Sequence, residues 1–313
     1  VIDNRFISER VNQIRNWNMN FIQGDILDKD LINEHCKDAD IVHHLAGITD
    51  VPRVKSESTF EKEELIRKVA EEGTQNILDA ISDECKIIMP SSHVVYEGLD
   101  SIKKNIKEDE KTCPSLAYGK SKNINEKQLK DSGKNFVILR LASVYGYSTD
   151  TARIDIMANF FAKTASQNGT LRLFAAGKQI KSLVPLIDVA RCFKFMEERE
   201  DINQELFNLS KDTVTVKEVA DICKKHNPNI KLRETNDEIP NLGFSISNDN
   251  IHYAKLDETY TRFNENKSLK SYTTKSQYGF CIPVILSYVA SMAFCPVSKS
   301  LNYSTTRDGY PVI

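Results

Sequence analysis

The sequence predicts an α/β fold, a doubly wound parallel sheet with a smaller C-terminal lobe, and three observations carry that prediction. From Val1 to about Leu209, short apolar runs alternate with longer amphipathic ones, the rhythm of strand–helix–strand units. The strand-like runs end on small or polar residues four times in succession: Gly24-Asp25-Ile26, Ala46-Gly47, Ser91-Ser92 and Ala142-Ser143. After Gly146 the rhythm changes, which marks the start of the lobe.

Taken in order, Met19–Gln23 reads as a strand and Leu31–Cys36 as a short helix. Ile41–Leu45 is a second strand, running into Ala46-Gly47. Residues 57–81 have helical spacing, with Leu65, Val69, Ile77 and Leu78 as the expected buried face. Lys86–Met89 is a strand followed by Pro90-Ser91-Ser92. Residues 115–130 read as a helix with Pro114 near its start, where a missing N–H is harmless. Phe136–Leu141 is the next strand.

In the lobe, residues 154–165 are helical, Thr170–Phe174 is a strand and Gly177 a turn. Leu183–Ile187 is expected as a strand, with Asp188 capping a helix to about Glu200. Leu206–Leu209 is a further strand and Val216–His226 a helix; beyond Asn227 the signals weaken. The expected division is a nucleotide-binding domain of residues 1–146 with 183–210, a substrate lobe of 147–182 with 211–260, and an unassigned tail, 261–313.

Composition narrows the function classes. A chain of 313 residues with 40% hydrophobic and 27% charged residues is an ordinary soluble globular protein. Its net charge of -2 gives no general pull toward nucleic acid or an anionic membrane. The seven cysteines are odd in number and form no C-x-x-C pair, so no disulfide framework or metal site is expected and a reducing cytoplasm fits best. His43-His44 is the one close histidine pair, and neighbours on a strand point to opposite faces. No signal peptide is recognisable at Val1. Phe280–Val297 is an apolar run near the lower length limit of a membrane span. A buried hairpin or helix is the preferred reading there, so no membrane partner is expected.

In an open parallel sheet, ligands bind outside the carboxyl ends of the strands, where the small residues lie. Tyr118 and Lys122 are four residues apart on an expected helix and share a face. Theirs is the one Y-x-x-x-K among the eleven tyrosines. The pattern alone is weak, because a surface Tyr beside a surface Lys is common. The chemistry gives it meaning: oxidising a secondary alcohol requires a base for the hydroxyl proton while hydride leaves the carbon. A tyrosine near pKa 10 is a poor base at neutral pH, and a neighbouring ammonium stabilises its phenolate. The hydroxyl of Ser92, one loop and one helix upstream, suits the same substrate oxygen.

These residues resemble the extended short-chain dehydrogenase/reductases, specifically the NAD-dependent sugar-nucleotide epimerase/dehydratase branch. The resemblance covers about residues 1–210. It rests on Val1-Ile-Asp-Asn4, Gly24-Asp25-Ile26, Ile41-Val-His-His-Leu-Ala-Gly47, Ser91-Ser-His-Val-Val-Tyr96, Tyr118-Gly-Lys-Ser-Lys122, Leu139-Arg-Leu-Ala-Ser-Val-Tyr-Gly146 and Leu183-Val-Pro-Leu-Ile-Asp-Val-Ala190, in family order and spacing. It implies a Rossmann-like domain binding NAD, a nucleotide-sugar substrate and a homodimer formed through helices 57–81 and 115–130.

Residue by residue, it implies that Asp3 with Asn4 meets the adenosine ribose, the acid favouring NAD over NADP. Asp25 and Ile26 would flank adenine. Leu45, Ala46 and Gly47 would line the pyrophosphate and ribose path. Ser92, Tyr118 and Lys122 would be catalytic. Ser92, His93 and Ser143 would meet the substrate, with Lys181 and Arg233 as candidates for its diphosphate.

The departures matter as much. The family's first strand and G-x-x-G-x-x-G loop, a pyrophosphate cradle, have no counterpart from Val1 onward, which suggests an N-terminally truncated sequence. Ala70 stands where relatives commonly have Asn, and Lys181-Ser182 where Arg-Asp is frequent. His93 and Val94 stand where the dehydratases carry an Asp-Glu pair, so elimination of water is disfavoured. The expected activity is 4-epimerisation, with a 4-keto reductase or dehydratase as alternatives and a non-catalytic binding module as a further one.

Overall fold

The computed structural model describes residues 1–49, 59–146, 153–235 and 243–253. The apolar run 280–297 and the tail 261–313 lie outside the described residues. The chain divides into two compact units.

The first unit comprises Val1–Ala142, Arg191–Leu209 and the segment from Ile246. Its centre is a parallel sheet of order β3-β4-β5-β9, built from β3 (Ile41–His43), β4 (Lys86–Ser92), β5 (Asn135–Leu141) and β9 (Glu205–Leu209). β4 and β5 pair along all seven residues, Lys86↔Asn135 through Ser92↔Leu141. Ile87, Ile88, Met89, Val137, Ile138 and Leu139 have no exposed surface, as expected of parallel strands covered on both faces. Pro90 is tolerated inside β4 because β3 pairs with it only as far as Ile88. β1 (Ile2–Asp3) and β2 (Ile22–Gln23) form a separate parallel pair.

Among the helices that accompany these strands are α1 (Ser8–Asn16), α2 (Lys29–Cys36), α3 (Phe60–Ala80) and α4 (Ala117–Asp131). α3 begins where the Thr59 hydroxyl accepts the Lys62 N–H, a side-chain cap for an otherwise unpaired donor. It buries Ile66, Ala70, Gly73, Thr74, Ile77 and Leu78. Leu65, expected inside, is 50% exposed: the buried stripe runs one residue further along, through Ile66. Ile77, Leu78, Ile87, Met89, Leu129 and Ile138 share one core with α2 residues Ile32 and Cys36. α4 starts at Ala117, with Pro114 outside its first turn. β2 is limited to Ile22–Gln23, so most of the expected strand from Met19 is connecting chain.

The second unit comprises Ser143–Ala190 with Ser210–Ser245. It holds two small sheets, one of β6 (Ser143–Tyr145), β8 (Ile180–Pro185) and β10 (Asp212–Thr215), the other of β7 (Thr170–Phe174) and β11 (Lys231–Thr235). α5 (Met157–Ser166) and α7 (Val216–His226) pack on their apolar side. Thr215 and Glu218 close a capping box on α7. Residues 183–190, grouped with the first domain on sequence, fall in this unit, because β8 pairs with β6 and β10. The expected strand Leu183–Ile187 stops at Pro185, where its partner β6 ends at Tyr145. Leu186 and Ile187 instead open α6 (Leu186–Glu197), and Asp188 lies in its first turn, not at the cap.

Candidate functional site

Ser92 ends β4, 8% exposed, and its Oγ accepts the Val94 N–H at 3.4 Å. It thereby caps the 3-10 turn His93–Tyr96. That turn sits directly on the start of α4. A Cβ on Gly119 would meet the Val94 carbonyl oxygen at 3.1 Å, and the Leu116 N–H donates to Glu97 Oε1 at 3.0 Å. The contact docks the first turn of α4, which carries Tyr118, beside the residues that follow Ser92. His93 donates from Nδ1 to the Leu141 carbonyl at 2.9 Å, which ties its ring to the end of β5.

Lys122 follows Tyr118 by one helical turn, with its Nζ 6.0 Å from the Tyr118 ring centre. The Lys122 side chain is buried, 6% exposed, and its ammonium makes no hydrogen bond or ion pair among the described residues. Burial pushes its pKa down to about 8, opposed by the charge of Glu126. A Cβ on Gly47 would lie 3.9 Å from Lys122 Nζ, so the chain leaving β3 passes close to the ammonium. Ser92, Tyr118, Lys122 and Gly47 therefore lie toward the carboxyl ends of β3 and β4.

Beneath them lie polar groups the sequence reading missed. His44, 3% exposed, places Nε2 2.8 Å from Thr74 Oγ1. Asn125 Nδ2 donates to the same hydroxyl at 2.7 Å and to the Ala70 carbonyl at 2.8 Å. Burial first, and the Lys122 charge second, drive the His44 pKa down to about 3, so this ring stays neutral. One residue before Ser92, Ser91 points to the other face of β4 and donates to Glu126 Oε1 at 2.5 Å. Glu126 pairs with Arg140 through two bonds, 2.9 and 2.6 Å, both side chains being 3% exposed. Arg140 also donates to the Tyr96 hydroxyl and, at 3.0 Å, to the Glu108 carbonyl. The Tyr96 pKa is pushed up to about 12, chiefly by burial.

The remaining residues of the first unit form a thinner rim. Asp3 ends β1, its Oδ1 accepting the Arg5 N–H at 2.9 Å, with Arg5 Nε at 3.8 Å. Asn4 Nδ2 lies 3.3 Å from Asp25 Oδ2, and Asp25 Oδ1 accepts the Leu27 N–H at 3.0 Å. The first bond ties the end of β1 to the end of β2; the second turns the chain locally after β2. Ile26 packs on Gly73, where a Cβ would meet it at 2.8 Å. Leu45 is 61% exposed beside exposed Ala46 and Gly47.

Ser143, Lys181 and Arg233 lie in the second unit. Ser143 opens β6 and Lys181 sits in β8 opposite Val214. Arg233 on β11 lies beside Arg172 on β7. Both arginines are exposed and neither makes an ion pair among the described residues. Among the described residues no group of His, Cys, Asp and Glu is arranged to hold a metal ion, and no helix is long and apolar enough to cross a membrane.

The donor set fits a dinucleotide. A buried ammonium without a partner among the described residues would suit ribose hydroxyls, the exposed backbone at Gly47 lies beside it, and Asp3 offers a carboxylate at the end of β1. Comparison with known proteins agrees in fold. Residues 1–210 match the model of the NAD dependent epimerase/dehydratase family. The structure is similar to UDP-glucuronic acid 4-epimerase from Bacillus cereus in complex with UDP-glucuronic acid and NAD, with TM-score 0.68, 20% identity, and 93% of this chain and 90% of that one covered. It is also similar to UDP-glucose 4-epimerase from Thermotoga maritima with UDP-glucose, with TM-score 0.64, 21% identity and coverage of 79% and 80%. A third similar structure is dTDP-glucose 4,6-dehydratase from Streptomyces venezuelae with NAD bound, with TM-score 0.66, 18% identity and coverage of 85% and 87%.

Proposed function

The chain belongs to the NAD dependent epimerase/dehydratase family, a family of enzymes, and we propose that it is a nucleotide-sugar 4-epimerase. The observation that carries the reading is the buried Lys122 ammonium, without a partner among the described residues, one helical turn from Tyr118. Lys122 stabilises the Tyr118 phenolate. Tyr118 then takes the proton of the sugar C4 hydroxyl, and the Ser92 hydroxyl donates to the same oxygen. NAD, when bound, supplies the hydride acceptor and donor for the sugar carbon. Lys122 would also hold a ribose hydroxyl of the cofactor. After the keto sugar turns in its pocket, Tyr118 returns the proton to the oxygen on the newly presented face.

His93 and Val94 support epimerisation over loss of water. His93 donates its Nδ1 hydrogen to the Leu141 carbonyl, an arrangement that positions the ring and supplies no acid–base pair with Val94. A 4-keto reductase would use the same residues in one direction. Arg233, which makes no ion pair among the described residues and lies beside Arg172, is the proposed diphosphate residue, with Lys181 and Ser143 as further candidates. Asp3 favours NAD over NADP by repelling a 2′-phosphate. The protein is proposed to act in the cytoplasm as a homodimer through the outer faces of α3 and α4, where a groove of about 640 Å³ is lined by Gln75, Asp79, Lys127 and Asp131 among others. Sedimentation analysis reads that assembly.

Isothermal titration with NAD tests the cofactor assignment. Binding of NAD tighter than NADP, weakened at least tenfold by Lys122→Met, is the expected result. No NAD binding, or binding indifferent to Lys122→Met, would overturn it.

A further inference from the structure

Tyr118, Lys122 and Glu126 follow one another at intervals of four residues on α4, so they form one ladder on a single helix face. The lower two rungs are buried, Lys122 at 6% exposure and Glu126 at 2%. Removing an ammonium from water favours its neutral form. A neutral Lys122 would leave the Tyr118 phenolate without its stabilising charge. Some group must oppose the effect of burial, and the ladder supplies one.

We propose that Glu126 is a positioning residue that keeps the buried Lys122 charged, at a strength set by Arg140 and Ser91. Glu126 does not touch Lys122: its carboxylate is committed to Arg140 on β5 and to Ser91 on β4. Its charge acts through space across one helical turn, in surroundings where water screens little. The two partners moderate it. Arg140 offsets the negative charge, and the Ser91 hydrogen bond spreads it. Ser91 and Ser92 are neighbours on β4 with side chains on opposite faces. The same strand end thus presents one serine to the proposed substrate oxygen and the other to the acid behind the base.

The charged and titratable groups about Lys122 come from each packed element. They are Tyr118 and Glu126 on α4, His44 after β3, and Arg140 on β5 through Glu126. His44 is neutral, as its pKa of about 3 requires, and it adds no positive charge. Thr74 and Ala70 of α3, which meet Asn125, are uncharged. Glu126 is the one anion in the set, and its charge works against the burial that lowers the Lys122 pKa.

The inference takes Lys122 as the partner of Tyr118 from the reading above, yet its test reads Lys122 directly. It therefore succeeds or fails whether or not the chain turns over a nucleotide sugar. Lysine Cε is labelled with carbon-13, and the Lys122 signal is assigned by its loss in Lys122→Met. Its titration is then followed in Glu126→Gln and Ser91→Ala. Glu126→Gln removes the anion and should lower the Lys122 pKa by about one unit. Ser91→Ala removes a bond that spreads the charge, leaves the carboxylate in place and should raise the Lys122 pKa by a few tenths of a unit.

Opposite signs from the two variants distinguish an electrostatic role from a structural one, which would lower thermal stability in both and leave the Lys122 titration unmoved. An unchanged Lys122 pKa in Glu126→Gln would overturn the proposal. Should Glu126→Gln fail to fold, Ser91→Ala decides: an unchanged or lowered pKa overturns it.

Discussion

The two halves of the first unit differ in how firmly they hold their polar residues. On one side, β4 and β5 pair along seven residues each, and the Glu126–Arg140 ion pair behind Lys122 is 3% exposed. On the other, β1 and β2 are two residues each, Phe6, Trp17 and Met19 are 53%, 62% and 45% exposed, and Asp3 with Asn4 lies near the surface. Local stability follows buried apolar contact. The residues proposed to handle the proton therefore rest on buried core, while those proposed for the adenosine end rest on a thin shell. Catalytic geometry tolerates little displacement. A ribose at Asp3 would, by contrast, be held by exposed hydrogen bonds, whose loss costs little stability.

The sharpest way to break this contrast is to remove one member of the buried pair. Arg140→Met leaves Glu126 buried without its counter-ion, which should cost about 3–5 kcal/mol of unfolding free energy in urea. A loss under about 1 kcal/mol would show that the interior of this half is wetter than its burial indicates.

His44 gives the next effect, through pH. Its folded pKa of about 3 lies below the ordinary value of 6.5, so the unfolded chain binds the proton first. The stability it contributes is whole above pH 6.5 and drains away as pH falls toward 3. That loss amounts to roughly 5 kcal/mol. His44→Gln, which retains an amide near Thr74, should flatten the acid limb of the stability curve over that window. An acid limb parallel to the wild type would refute the buried neutral imidazole.

Lys122 acts on the alkaline side. Its pKa is depressed from 10.5 to about 8, so the folded chain carries a disfavoured charge at neutral pH. Stability from this group is whole above pH 10.5 and lost as pH falls through 8. Lys122→Met should therefore stabilise the fold by roughly 3 kcal/mol at pH 7. That gain should vanish above pH 10.5, and the proposed activity should vanish with it. A destabilised Lys122→Met would show that the ammonium is held by the native structure in a way its lack of partners denies.

The smallest effect belongs to the rim. Asp25→Ala removes the bonds to Asn4 and Leu27, and an exposed site of this kind should change stability by no more than about 1 kcal/mol. Chemical denaturation reads it, and a loss equal to that of Arg140→Met would erase the contrast between the halves.

Much of the candidate site was legible in the sequence because its geometry is local. Tyr118 and Lys122 are related by helical spacing, and Ser92 by its place after a strand. The support behind them is not local. Arg140 meets Glu126 across 14 residues and Ser91 meets it across 35, so both contacts exist only once β4, β5 and α4 are neighbours. Strand alternation correctly sent His43 and His44 apart: His43 pairs with Glu197 at 2.9 Å, and His44 turns inward to Thr74. The same rule could not say which one was buried.

In the fold, β4 and β5 announced themselves as apolar runs, while β6, β10 and β11 did not. Those three are short, and their side chains mix core and surface with no clean period. Leu186 and Ile187 read as strand because they are apolar, but nothing remained on β6 for them to pair with.

The most direct test is to supply NAD with a panel of UDP-, GDP- and dTDP-sugars and follow each by NMR and mass spectrometry, beside Tyr118→Phe. The account predicts that at least one sugar inverts at C4 with its mass unchanged and no net reduced cofactor, and that Tyr118→Phe abolishes the inversion. Loss of water from a sugar, or inversion that survives Tyr118→Phe, would contradict it.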